Sequence, residues 1–205
     1  MRWLAPISIW LLLASSVAPA QIPTELKIVT ANAAPAEIAT ATQLQRLVAA
    51  NEVGRWLFTT EVMIDQRAIP HSHPVLTLHA RYTRDDDLLL STFLHEQLHW
   101  FLDQRGAATE AAIAELRPLY PALPVGFPDG AADQNSSYLH LLVCMLEYEA
   151  DRAVMGELRA RQVMEYWAGH HYRRIYRAIL DRPQPIIDAL RKHGLFPPPA
   201  RPAAR

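Results

Sequence analysis

Apolar residues recur at helical spacing over residues 36–51, where Ile38, Leu44, Leu47 and Val48 fall on one side and Gly54 follows as a stop. The rhythm then changes. Residues 55–65, RWLFTTEVMID, are rich in aromatic and β-branched side chains and predict a strand. Pro70 and Pro74 punctuate a turn, after which residues 75–82 set Val75, Thr77, His79 and Arg81 against Leu76, Leu78, Ala80 and Tyr82. That alternation predicts a second, half-buried strand. The loop between the two strands has two prolines and no apolar run, so an antiparallel hairpin is expected.

Residues 83–106 are predicted as a long helix. Thr83 or Asp85 can cap it, residues 85–87 place acids at the positive end of its dipole, and Gly106 suits its end. Leu88, Leu89, Leu90, Phe93, Leu94, Leu98, Trp100, Phe101 and Leu102 ring nearly its whole circumference, the pattern of a core helix. An Ala-rich helix over 107–116 follows. Residues 118–130, with four prolines and two glycines, form a loop long enough to shape a cleft wall. A second core helix spans 136–156, capped by Ser136 or Ser137. A further helix covers 158–180, with Gly169 unfavourable in its interior, and a short one over 186–193 is closed by Gly194. The expected fold is one α+β domain over residues 36–195, mostly helical, with a small antiparallel sheet packed on helix 83–106.

The two ends read differently. Arg2, the apolar run from Ile7 to Val17 and the small residues Ala18-Pro19-Ala20 have the form of a signal peptide over residues 1–20, cleaved after Ala20. A secreted or periplasmic location is therefore expected, with an uncleaved anchor as the alternative. Residues 21–35 read as a flexible Pro/Ala-rich lead-in, and 196–205 as a Pro-rich tail. No later stretch is apolar for long enough to predict a stable membrane span. Lys and Arg number 20 against 21 Asp and Glu, a balance that leaves no electrostatic footprint for nucleic acid. The single cysteine, Cys144, excludes an internal disulfide framework and, within an apolar helix, reads as a buried thiol.

Chemistry concentrates in Leu94-His95-Glu96-Gln97-Leu98-His99-Trp100, an H-E-x-x-H sequence inside the apolar helix. Positions four apart project from one helix face, so His95 and His99 can offer two imidazoles to one metal ion. Glu96 stands one position round, within reach of a water on that metal. This is the arrangement of a zinc-dependent hydrolase with Glu96 as general base. A buried Glu flanked by two histidines is hard to satisfy without a cation. His71 and His73 in the Pro-flanked turn, and His79, read as surface residues. His140, two turns before Glu147 on the same face, reads as either an outer partner of the site or core.

A catalytic zinc needs a third protein ligand, and the second core helix carries Glu147-Tyr148-Glu149-Ala150-Asp151. HEQLH followed some fifty residues later by E-x-x-x-D resembles the gluzincin group of zinc metallopeptidases, and EYEADR is close to the wording in the CAAX-type and heat-shock proteases of that group. The resemblance covers the two motif helices and omits the membrane spans of those proteases, so a small soluble gluzincin is the nearer analogy. It implies a zincin-like fold and one Zn2+ held by His95, His99 and Glu147. Asp151 would hydrogen-bond a ligating histidine. His171 and Tyr172, with His170, are candidates to stabilise the tetrahedral intermediate. It further implies that strand 75–82 is an edge on which an extended peptide or protein substrate pairs. The alternative function is a catalytically inactive zincin-fold module of the periplasm that binds metal or another protein.

Overall fold

The computed structural model describes residues 26–198; the expected signal peptide, part of the lead-in and most of the tail lie outside that range. Strand β1 (Lys27–Thr30) runs into helix α1 (Pro35–Ala50), and strands β2 (Glu61–Ile64) and β3 (Leu76–Leu78) follow. The remainder is helical: α2 (Asp86–Asp103), α3 (Gly106–Leu116), α4 (Gln134–Met155), α5 (Glu157–His170), α6 (Arg173–Asp181) and α7 (Gln184–Lys192). Helices α2 and α4 pack on each other at the centre. The sheet and α1 lie against α2, α5 and α6 close one side of α4, and α3 and α7 close another. Among the described residues no helix is long and apolar enough to cross a membrane.

The expected antiparallel sheet is not present. The three strands are parallel, in the order β1-β2-β3, with Val62 opposite Leu76 and Ile64 opposite Leu78. Helix α1 is the crossover from β1 to β2. The segment 65–75 returns the chain to the start of β3 rather than turning it back as a hairpin. Burial explains why the alternation misled: Leu76, Thr77 and Leu78 are all buried, as in a parallel strand covered on both faces. The strand also ends early, at Leu78, and residues 80–82 form a 3-10 turn, so His79 and Arg81 never occupy a solvent face of the sheet. Residues 54–56 are likewise a 3-10 turn and not the start of β2. Strand β1 falls within residues 21–35, expected as a flexible lead-in; its exposed edge position needs no apolar run to announce it.

Two buried polar side chains hold these parts in place. Glu37, in the first turn of α1, accepts hydrogen bonds from the backbone N–H groups of Asn32, Ala34 and Gln66 and from the Asn32 side chain. It thereby ties β1, the start of α1 and the end of β2 together. Gln97, inside the HEQLH motif, accepts from the N–H groups of Phe58 and Thr59 at 2.7 and 2.9 Å and donates to the Thr59 carbonyl. Helix α2 is thus registered against the approach to β2.

The helix boundaries follow from capping. Asp85 caps α2 by accepting from Leu88 N–H, and Asp133, not a serine, caps α4. Gly156, at φ +85°, separates α4 from α5. The helix expected over 158–180 is broken between His170 and Arg173, with Tyr172 in the left-handed region at φ +48°. Burial raises the Glu37 pKa, but its four hydrogen bonds outweigh burial and hold it at about 2, against an ordinary 4.5. A depressed folded-state pKa stabilises the protein above the ordinary value, and that contribution is lost as pH falls towards 2. Urea midpoints of Glu37→Gln and wild type are therefore expected to differ most at pH 7 and to converge as pH falls from about 4.5 to 3; a gap independent of pH counts against this role.

Candidate metal centre

Helix α2 delivers His95 and His99 to one face, one turn apart, and α4 delivers His140 opposite them. The ring nitrogens Nε2 of His95 and His99 lie 3.3 Å apart. Ligands about 2.1 Å from a tetrahedral ion sit about 3.4 Å from one another, so this pair already stands at ligand spacing. One ring nitrogen from each of His95, His99 and His140 falls within 4.8 Å of the others. The partners of two rings settle which nitrogen faces inward. His95 Nδ1 donates to Glu147 at 2.8 Å, and His140 Nδ1 donates to the Ser136 carbonyl at 2.7 Å. In both rings Nε2 is the nitrogen left to face the cluster.

Electrostatics keep most of these rings neutral. Burial, with the charge of His95 and His140, pulls His99 well below the ordinary range. Burial, with the charge of His95, takes His140 down to about 3. Burial also disfavours the His95 imidazolium, but Glu147 beside it more than offsets this, and its pKa is raised well above the usual value. An ion at the centre would replace that proton's charge and use neutral imidazoles, the form that ligates. Glu96 is buried, and burial lifts its carboxyl to about 7 despite the opposing charges of His95 and His71. The chain therefore holds a cluster of groups able to take a metal ion, with a carboxyl poised near neutrality on the same helix.

Glu147 is placed differently from the expected ligand. It shares no ligand group with His99 but lies against the outer nitrogen of His95, in a group with Cys144. Its carboxylate is already occupied. Ser91 donates to Oε1 at 2.5 Å, while His95 and Tyr176 donate to Oε2 at 2.8 Å each. Ser91 in turn accepts from Trp167 Nε1 at 3.1 Å. A carboxylate with three donors, bonded to the rear of a histidine, orients that ring and raises its basicity. The group His95, Cys144 and Glu147 is the poorer metal site, because burial raises the Cys144 pKa and keeps its thiol protonated.

Asp151, one turn beyond Glu147, is fully buried and neither carboxyl oxygen has a hydrogen-bond partner among the described residues. It does not bond a histidine. Burial and the neighbouring Glu147 raise its pKa well above the ordinary value, which favours the protonated form. Glu149 points elsewhere, to an exposed ion pair with Arg152.

The break after α5 brings Tyr172 to the cluster, with its ring centroid 4.3 Å from that of His140 and 6.4 Å from that of His95. The loop 118–130 braces this break. The Pro128 and Asp129 carbonyls accept from the N–H groups of Arg173 and Arg174, and Asp129 pairs with Arg173 at 2.8 Å. Gly130 is required there, since a Cβ would sit 2.0 Å from the Pro124 carbonyl oxygen. His171 packs against Trp167, Tyr172 and Tyr176, and burial lowers it to about 4. His170 instead stacks on Tyr166 at the exposed end of α5.

Residue pattern alone did not single out Ser91 or Tyr176, and it offered His140 as an outer partner or core rather than as a member of the cluster. The signal was present for two of them. Ser91 lies one helical turn before His95, and His140, Cys144, Glu147 and Asp151 form one buried stripe along α4. No protein-family model matches the chain, and no similar curated protein or solved structure was found.

Titration with Zn2+ separates the two kinds of partner. Removing a ligand, His140→Ala, is expected to abolish tight binding. Removing the orienting carboxylate charge, Glu147→Gln, is expected to weaken it by about 10- to 100-fold. Asp151→Asn should leave affinity unchanged. Equal loss in the first two variants would restore Glu147 to the ligand set.

Proposed function

We propose that this protein is an exported zinc metallopeptidase in which His95, His99 and His140 hold the ion and Glu96 is the general base. The convergence of three inward-facing imidazole nitrogens beside a buried carboxyl of raised pKa carries this reading. Three imidazoles suit Zn2+, which takes three protein ligands in a catalytic site. When bound, the ion supplies Lewis acidity and a water acidified to near neutrality.

The chain's own groups do the rest. Glu96 accepts the proton released as water adds to the peptide carbonyl, and a carboxyl with a pKa near 7 both accepts and returns a proton at neutral pH. It then delivers that proton to the amine nitrogen as the C–N bond breaks. Tyr172, held beside His140 and His95, is the better placed donor for the developing oxyanion, with His171 behind it. Glu147, Ser91 and Tyr176 fix the His95 ring. The N-terminal pattern of residues 1–20 supports export.

Incubation of the zinc-loaded protein with a proteome-derived peptide library, read by mass spectrometry for new termini, tests the assignment. Glu96→Ala is expected to slow the appearance of new termini by about 10²- to 10⁴-fold while retaining its zinc. Tyr172→Phe should reduce the rate and leave zinc affinity intact. New termini formed equally well by Glu96→Ala sink the mechanism. Their absence with every form of the protein leaves the metal centre to an inactive binding module.

A further inference from the structure

Strand β3 is the last strand of the sheet, packs on helix α2, and is joined to it through the 3-10 turn at residues 80–82. In the parallel pairing with β2, Leu78 turns its carbonyl towards β2, where it accepts from Asp65 N–H. Thr77 therefore presents its own N–H and C=O to the outside. An unpaired edge of this kind is where an extended polypeptide adds as a further strand.

That edge is already taken by the chain itself. His71 N–H donates to the Thr77 carbonyl at 3.1 Å, and Thr77 N–H donates to the His71 carbonyl at 2.8 Å, an antiparallel bridge. The segment is held from the other side by α2. Trp100 Nε1 donates to the Ser72 carbonyl at 2.7 Å, and the His73 ring stacks on Trp100 with centroids 4.1 Å apart. Trp100 directly follows His99, so the segment lies across the turn of α2 that carries the motif. Nor can the segment serve as a new edge in its turn. Pro70 has no N–H to offer, and the Ser72 carbonyl is bonded to Trp100.

We infer that residues 69–74 are an intramolecular strap occupying the strand position that an extended polypeptide substrate would take beside Glu96, so that turnover of such substrates requires the strap to lift. The inference rests on the peptidase reading. It places control of the site in two backbone hydrogen bonds, one indole hydrogen bond, one aromatic stack and the contact of His73 with Asp103 at 3.7 Å. All of them are made at an exposed loop whose tip, Ile69, is 79% exposed. Interactions of that number and exposure open locally without global unfolding.

The test uses the zinc-loaded protein in three forms: wild type, H73A, which loses the stack, and H71P/H73A, which also loses the N–H donated to Thr77. Two quantities are read, amide hydrogen exchange at Thr77 and the initial rate of new-terminus formation from the peptide library. Losing one backbone hydrogen bond and one aromatic contact is expected to speed Thr77 exchange by about tenfold in the double variant. Hydrolysis should rise by a similar factor, with zinc content unchanged and H73A intermediate in both. Because His73 is exposed, H73A keeps the test available should the double variant fold poorly. Faster Thr77 exchange with unchanged or slower hydrolysis, in a wild type that does cleave the library, overturns the strap and leaves the peptidase standing. Unchanged Thr77 exchange overturns the assigned contacts. No cleavage by any form, with zinc bound, removes the peptidase reading and the strap's role with it.

Discussion

The buried carboxylate of Glu147 is the point on which the central helices depend. It sits on α4, takes one hydrogen bond from Ser91 and one from His95 on α2, and takes a third from Tyr176 on α6. A charge in that position is costly unless every lone pair is engaged, and breaking any one contact leaves a desolvated group behind. The same carboxylate therefore holds three helices in register and aims His95 inward. Trp167 on α5 extends the network through Ser91, so all four helices around the site converge on one side chain.

This arrangement accounts for the division of labour among the acids. Both Glu147 oxygens already accept hydrogen bonds, and His140, whose rear nitrogen is held by the Ser136 carbonyl, faces His95 and His99. Glu96 has the opposite environment: burial lifts its pKa towards neutrality, where a proton can be taken and returned. Asp151, buried and without a hydrogen-bond partner among the described residues, has its pKa raised by burial and by the neighbouring Glu147. Burial thus acts on Glu96 and Asp151 alike, while Glu147 is the one of the three that collects hydrogen-bond donors.

The surroundings are built from less regular pieces. Tyr172 reaches the centre only because the chain breaks between α5 and α6, and the Pro/Gly-rich loop 118–130 stabilises that break by accepting the first N–H groups of α6. On the opposite side, residues 69–74 cover the edge of β3 and lean on Trp100. Both segments carry prolines, two within 69–74 and four within 118–130, where two glycines join them. They shape the approach to the site, while the helices position its groups.

By itself the sequence determined the periodic parts. The all-round apolar pattern of residues 88–102 made α2 a core helix, and H-E-x-x-H placed His95, Glu96 and His99 on it, because i to i+4 geometry is local. The apolar stretch before Glu147 likewise marked α4. Tertiary structure alone decided the strand direction, since a covered parallel strand and a half-buried antiparallel one can share the same short run of Leu and Thr. It also decided which residue of α4 meets the histidines. His140 and Glu147 lie on one stripe seven residues apart, and only the packing of α4 on α2 brings the first to the inner nitrogens and the second to the outer one. Helical periodicity specifies a face; where along that face two helices touch depends on contacts distant in sequence, which no local pattern contains.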